Sequence, residues 1–126
     1  MVARVCYQTM MRLKSELWVR AYLRRSAVAD APAFVVHHGD DTGGAIYIKV
    51  NHLDGTASLF GPAPIGFDDT DSDRLFAAVI PADKNAPESE ADNYMRQQLE
   101  FDSDLWLIEL EDAKKRHFLE GWLKAS

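Results

Sequence analysis

The sequence predicts an α+β fold, in which an antiparallel sheet of four or five strands carries two helices packed on one face. Apolar residues recur with helical spacing in two segments, residues 14–27 and 90–100. Short segments rich in β-branched and aromatic residues, typical of strands, fill most of the chain between and after them. The dipeptide Asp54-Gly55 separates two of these segments and favours a tight hairpin turn.

The N-terminal part of the chain divides into an extension and a helix. Residues 1–10 lack clear periodicity, and we expect a poorly ordered extension there, followed by a single α+β domain over residues 11–126. Helix 14–27 has Ser15 as its expected N-cap and ends before Pro32. Its apolar stripe consists of Leu13, Leu17, Trp18, Ala21, Tyr22 and Val28.

Five segments have the composition of strands. They are residues 33–38, 45–52, 56–61, 74–80 and 104–111. The segment 74–80 also fits a short helix, and a strand is favoured. The loop GDDTGG, residues 39–44, joins the first two strands, and we expect its glycines to supply positive φ angles. Because apolar residues occupy both faces of segment 104–111, that strand is predicted to lie inside the sheet.

The hairpin over residues 45–61 holds the candidate site. A two-residue turn at Asp54-Gly55 would oppose Lys49 and Phe60 and would leave one face apolar. The other face is mixed, and we predict a contact surface there. Its candidate binding residues are Tyr47, Lys49, Asn51 and Phe60. The alternative is that a helix, or the C-terminal segment with Trp122, covers these side chains.

Charge and cysteine content restrict the classes of partner. The 126 residues include 20 acidic and 14 basic side chains, and the formal net charge is −6. This charge opposes binding to nucleic acid and to anionic membrane surfaces, so neither partner is expected. A single cysteine, Cys6, excludes an intramolecular disulfide and favours a reducing compartment, the cytoplasm. No segment is long and apolar enough to predict a membrane span.

No motif in the chain predicts a catalytic residue, a metal site or a cofactor. His37 and His38 are neighbours in a strand and point to opposite faces, so they do not form a joint zinc site. The acidic run at 68–73 lacks the glycine and the glutamate of a calcium loop. The loop 39–44 lacks the lysine of a phosphate-binding loop. A G-x-S-x-G nucleophile motif is also missing.

Three segments resemble a family of short bacterial proteins, the domain of unknown function 1491. They are MRLKSELWVRAYLRR (11–25), GGAIYIKVNHLDGTASLFGPAP (43–64) and FDSDLWLIELEDAKKRHFL (101–119). The resemblance implies a small, stand-alone cytoplasmic protein, and it implies neither an activity nor any site residue.

These observations favour a noncatalytic protein-interaction or binding domain. The expected partner is another protein or a second copy of the chain, and no small-molecule ligand is identified. The alternative is a small enzyme or metabolite-binding protein that uses the mixed face of the hairpin. The sequence does not decide whether any catalysis occurs.

Overall fold

Two α-helices and five β-strands make up the regular structure of residues 13–64 and 74–124, which this computed structural model describes. The elements are α1 (Ser15–Val28), β1 (Ala33–His37), β2 (Ile46–Asn51), β3 (Ala57–Pro62), β4 (Phe76–Ile80), a 3-10 turn (Ala82–Lys84), α2 (Glu88–Phe101) and β5 (Trp106–Glu111). The predicted α+β class is confirmed, and segment 74–80 contains a strand. The predicted extension, residues 1–10, lies outside the described residues.

The strands form one sheet in the order β1-β5-β2-β3-β4. Three of the four pairings are antiparallel, whereas β2 and β5 run parallel, with Ile46 opposite Trp106 and Val50 opposite Leu110. The antiparallel prediction is therefore mostly right, with one parallel pair as its exception. The prediction that 104–111 is an interior strand is also confirmed, because β5 separates β1 from β2.

The helices pack on opposite faces of the sheet, so the prediction that they share one face is wrong. Alternate residues of a strand point to opposite faces, and each face of the central strands is apolar enough to hold a helix. On the face covered by α1, called here the α1 side, the buried cluster contains Trp18, Val19, Tyr22, Ile46, Ile48, Val50, Phe60, Phe76, Trp106, Ile108, Leu110 and Leu119. On the α2 side it contains Ala57, Leu59, Ile80, Ala86, Ala91, Met95, Leu105 and Leu107.

The loop 39–44 caps the start of α1. Backbone N–H groups of Ser15 and Glu16 donate to loop carbonyls, and the Ser15 hydroxyl donates to the carbonyl of Gly44 at 2.6 Å. Ser15 is thus the first residue of the helix rather than its N-cap. The loop glycines have no positive φ. Gly39 and Gly44 are needed instead because a Cβ atom on either would collide with the carbonyl oxygen of Asp104.

The segment after β5 crosses the α1 side without forming a helix. Leu119 is fully buried there, and the ring of Trp122 contacts Trp18 with their centroids 5.0 Å apart. The hydroxyl of Tyr22 donates to the carbonyl of His117. The segment then reaches β4, where the N–H of Phe76 donates to Trp122 and its carbonyl accepts from Lys124. In the described part of the chain, no helix is long and apolar enough to cross a membrane.

Candidate functional site

The hairpin between β2 and β3 turns where the sequence predicted, but with one more residue in its loop. Val50 pairs with Ser58 and Ile48 with Phe60, and the N–H of His52 donates to the carbonyl of Thr56. The loop is therefore Leu53-Asp54-Gly55, in which Leu53 and Gly55 have positive φ angles of 64° and 91°.

Side chains of the loop and of β2 stabilise this longer turn. The Asn51 side chain accepts the N–H of Leu53, and the Asp54 carboxylate accepts both the N–H and the hydroxyl of Thr56. These local bonds give the turn an alternative to the two-residue geometry that Asp-Gly favours.

The extra loop residue moves every side chain of β3 to the face opposite the predicted one. Lys49 faces Leu59, whereas Phe60 lies on the α1 side, 5% exposed, against the ring of His117. The predicted joint patch of Tyr47, Lys49 and Phe60 is thus not formed. Tyr47, Lys49 and Asn51 do share the α2 side, and whether they bind a partner stays a prediction.

Lys49 is the buried centre of an ion network beneath α2. Its side chain is only 5% exposed, and its ammonium donates to Glu88 at 2.6 Å and to Asp92 at 2.8 Å. Glu109 of β5 is 3.4 Å from the same nitrogen. The amide of Asn51 donates to Glu88 and Glu109. The network therefore joins the first turns of α2 to both strands of the parallel pair.

The electrostatics of this network keep Lys49 charged. Burial acts to lower the pKa of Lys49, but the hydrogen bonds to Asp92 and Glu88 and the charge of Glu109 outweigh it, and the pKa is raised. An ammonium held in this way has its donors occupied and is a poor nucleophile or base. The arrangement suits attachment of α2 to the sheet. Among residues 13–64 and 74–124, no group of three or more His, Cys, Asp or Glu side chains could hold a metal ion.

A second polar chain lies at the tip of the hairpin, on the α1 side. The Thr56 hydroxyl donates to Asp54, so it accepts from Nδ1 of His52 at 2.8 Å, and Nε2 of His52 accepts from the Ser58 hydroxyl at 3.1 Å. A serine hydrogen-bonded to a histidine also occurs in the catalytic site of serine hydrolases. Here, however, His52 is 1% exposed and Ser58 is fully buried. A substrate therefore has no access to this serine. These hydrogen bonds stabilise the hairpin turn instead.

The outer edge of β1 is the most open apolar feature of the sheet. Phe34, Val35 and Val36 are 45%, 37% and 51% exposed, and among residues 13–64 and 74–124 β1 pairs only with β5, on one side. The N–H of Glu111 donates to the carbonyl of Pro32. Because bonded and non-bonded pairs alternate in an antiparallel ladder, the N–H and carbonyl groups of Ala33 and Val35 point away from β5.

The opposite edge of the sheet is partly covered. The outward groups of Phe76 in β4 are bonded to Trp122 and Lys124 of the C-terminal segment. By alternation, Ala78 also points its backbone outward, where none of the described residues of that segment bonds to it. Within the described residues, β1 thus presents the longer uncovered strand edge. It lacks the charged or proline residues that usually protect one, and its only irregularity is a register shift between Val35 and His37.

Sequence reasoning found the strand but missed its exposed edge. The segment AFVVH has no charged residue, which is also typical of a strand in the middle of a sheet. The missing information was that β5 lies between β1 and β2 in the sheet. In the chain, β1 and β2 follow one another and are joined by the loop 39–44. Apolar residues on both faces of β5 favoured an interior position for that strand, but they did not identify its neighbours.

The fold defines a class: a small α+β protein with a mixed sheet, one helix on each face and an apolar edge strand that the described residues leave uncovered. The family model described as "Protein of unknown function (DUF1491)" matches residues 13–120. The chain belongs to this family, and the resemblance in its sequence is confirmed. A search of curated proteins gave no significant match.

Solved structures of relatives have the same fold. A crystal structure of a DUF1491 family protein from Caulobacter crescentus CB15 is 31% identical, covers 90% of this chain and 98% of its own, and has a TM-score of 0.72. The solution structure of protein Atu0922 from A. tumefaciens is 35% identical over 80% of this chain and 86% of its own, with a TM-score of 0.69. An NMR structure of a C. crescentus CB15 family protein is 32% identical over 90% and 97%, with a TM-score of 0.72.

Proposed function

We propose that this protein is a noncatalytic interaction domain that binds an extended segment of a partner protein as an added strand on β1. The observation that carries the proposal is the open edge, where Ala33 and Val35 direct outward backbone groups that pair with none of the described residues, beside three exposed apolar side chains. In strand addition, backbone hydrogen bonds supply affinity and alternate side chains supply specificity. The single cysteine favours a reducing, cytoplasmic setting for this function.

The hairpin is a weaker candidate for the contact surface. Lys49 is held by three carboxylates and Phe60 is buried, so neither side chain is free to meet a partner without rearrangement. Tyr47 is half-buried, and its ring packs toward Tyr94 of α2. Burial, followed by the nearby Tyr94 and Asp102, raises the pKa of Tyr47, so its hydroxyl stays neutral near neutral pH. These residues contribute stability in this proposal.

The test uses a substitution that alters only the outer edge. Val35→Pro removes an outward N–H and leaves the bonds between β1 and β5 in place. The probe is a short synthetic peptide of alternating valine and threonine with serine at each end. On titration, the amide NMR signals of residues 33–37 should shift in the wild-type protein and should stay unchanged in Val35→Pro.

Ala78→Pro is the matched control, because it removes an outward N–H from the other edge and should leave peptide binding intact. Circular dichroism melting checks that each variant is folded. If Val35→Pro does not fold, Val36→Lys places a charge on the same edge and should also weaken binding. The proposal is wrong if the peptide leaves the amides of β1 unchanged, or if both proline variants bind it equally well.

A further inference from the structure

We infer that the chain which adds its strand to β1 is a second copy of this protein, paired through an antiparallel β1–β1 contact about a two-fold axis. The inference rests on the proposed strand addition and names its partner. Ala33 and Val35 direct outward N–H and carbonyl groups that pair with none of the described residues, and Phe34 lies midway between them. A strand with open groups placed symmetrically about one residue is its own complement.

The position of the axis follows from these open groups. With the axis beside Phe34, Ala33 of each copy faces Val35 of the other, and each such pair exchanges both of its N–H to carbonyl bonds. An axis beside Val35 would instead set Ala33 against His37, beyond the register shift that interrupts β1. The register centred on Phe34 therefore uses all the regular outward groups and leaves none of them unpaired.

The same register brings compatible side chains together on both faces of the sheet. Phe34 pairs with Glu109 and so lies on the α2 side, where it is 45% exposed. On the axis it meets Phe34 of the second copy as a non-bonded pair, in which the Cα atoms are about 4.5 Å apart and the side chains touch. On the α1 side, the small side chain of Ala33 lies beside that of Val35. Dimerisation thus covers exposed apolar surface.

The charges around β1 do not oppose a second copy. Cations and acids are mixed around the start of the strand, where Arg24, Arg25 and Lys114 accompany Asp30, Glu111 and Glu120. The acids of the loop 39–44 follow the other end of the strand. In the antiparallel pair, the two copies of this loop lie at opposite ends, about 40 Å apart for a rise of about 3.3 Å per residue. That separation is several times the Debye length of about 8 Å at physiological salt.

The contact is short, so the dimer should be weak and reversible. The register shift limits regular pairing to residues 33–35, and small interfaces of this kind belong to transient complexes. We expect a Kd on the order of 10–100 µM. Each copy carries a formal charge of −6, and salt screens the resulting long-range repulsion. Association should therefore strengthen as the salt concentration rises, whereas a partner held by opposite charges would bind more weakly.

The first test fixes the register with single cysteines, in a chain whose own cysteine is removed by Cys6→Ser. Phe34→Cys places two thiols opposite each other on the axis, within the Cα distance that a disulfide spans. Val36→Cys is the matched control, because Val36 is 51% exposed but its two copies lie about 13 Å apart in this register. Under mild oxidation, Phe34→Cys should form a disulfide-linked dimer at least about tenfold faster.

Sedimentation equilibrium measures the association itself. The wild-type protein should dimerise, Val35→Pro should stay monomeric, and Ala78→Pro, which alters the other edge, should dimerise like the wild type. The serine-ended peptide of valine and threonine should dissociate the dimer, because both occupy the same edge.

The outcomes separate this inference from the function beneath it. Equal cross-linking of the two cysteine variants, a dimer that persists in Val35→Pro, or a wild-type protein that is monomeric up to about 1 mM overturns the second copy. Strand addition still stands if the peptide shifts the amide signals of β1. Absence of both the dimer and peptide binding counts against strand addition itself. If Val35→Pro does not fold, the cysteine variants decide the question, because both change exposed side chains.

Discussion

On the α1 side, the helix buries Trp18, Val19 and Tyr22, and on the α2 side it buries only Ala91 and Met95. The first helix is held by stacked aromatic rings, with Trp18 and Tyr22 5.2 Å apart and nearly parallel. The second is held by Ala91 and Met95 and by the ammonium of Lys49. The sheet thus holds its two helices by different interactions. Large apolar side chains are buried on one face, and charge pairing adds to a smaller apolar cluster on the other.

The largest expected effect is on the α1 side. Trp18→Ala should lower the free energy of unfolding by about 3–5 kcal/mol, because it leaves a cavity among Tyr22, Phe76 and Trp122. Urea denaturation followed by circular dichroism measures the change. The neighbouring Leu17→Ala is the control, because Leu17 is 47% exposed and its loss should cost less than about 0.5 kcal/mol. Similar losses for the two variants would contradict the packing described for α1.

The charge network should give the next largest effect. Lys49→Met keeps the length of the side chain but leaves Glu88, Asp92 and Glu109 without their shared cation. We expect a loss of about 2–3 kcal/mol, below the value for a fully buried pair because Glu88 and Asp92 are partly exposed. Lys84→Met, at an exposed pair with Glu90, should have little effect. If Lys49→Met leaves the free energy of unfolding unchanged, the α2 side is held by apolar contacts alone.

The apolar layer of the α2 side should be the weaker of the two. Met95→Ala should cost about 2 kcal/mol, less than Trp18→Ala, because a smaller side chain leaves a smaller cavity. Thermal melting of Met95→Ala and of the exposed control Gln97→Ala measures the difference. A loss for Met95→Ala as large as that for Trp18→Ala would remove the contrast between the two sides.

The smallest expected effect depends on pH and lies at the tip of the hairpin. Burial, and then the positive charge of Lys115, lower the pKa of His52, against the opposing charges of Asp54 and Asp112. A group with a depressed folded-state pKa stabilises the fold above its unfolded pKa, about 6.5 for histidine, and loses that contribution as the pH falls through the folded value. Wild-type stability should therefore decline on acidification, and in His52→Gln the decline should be smaller. His38→Gln, at an exposed histidine, is the control.

Local patterns in the sequence predicted the elements well, because periodicity and turn residues report on a few neighbouring positions. Both helices and all five strands appear within a few residues of the predicted bounds. The hairpin shows a limit of prediction from local patterns. Asp54-Gly55 indicated the turn correctly, but bonds from Asn51 and Asp54 added Leu53 to the loop and reversed the faces of β3.

The candidate site depended on contacts between distant residues and was therefore harder to predict. Lys49 was assigned to the correct face of β2, but the acids that surround it come from α2 and β5, far along the chain. The position of α2 opposite α1 followed from both faces of β5 being apolar, a pattern that the sequence displayed. The exposure of β1 required the strand order, which no local pattern encodes.

The strand order also determines the order in which the strands can pair during folding. Within the part of the chain that the structure describes, β1 has no strand partner until β5 has been synthesised, because β5 lies between it and the rest of the sheet. On the ribosome, α1, β1 and the β2–β3 hairpin emerge well before Trp106, so the two strand edges that β5 will later occupy stay open during translation. Contacts of such long sequence separation slow folding and expose the nascent chain to aggregation. A chain released before β5 would keep an apolar strand, AFVVH, with neither of its edges paired within the sheet.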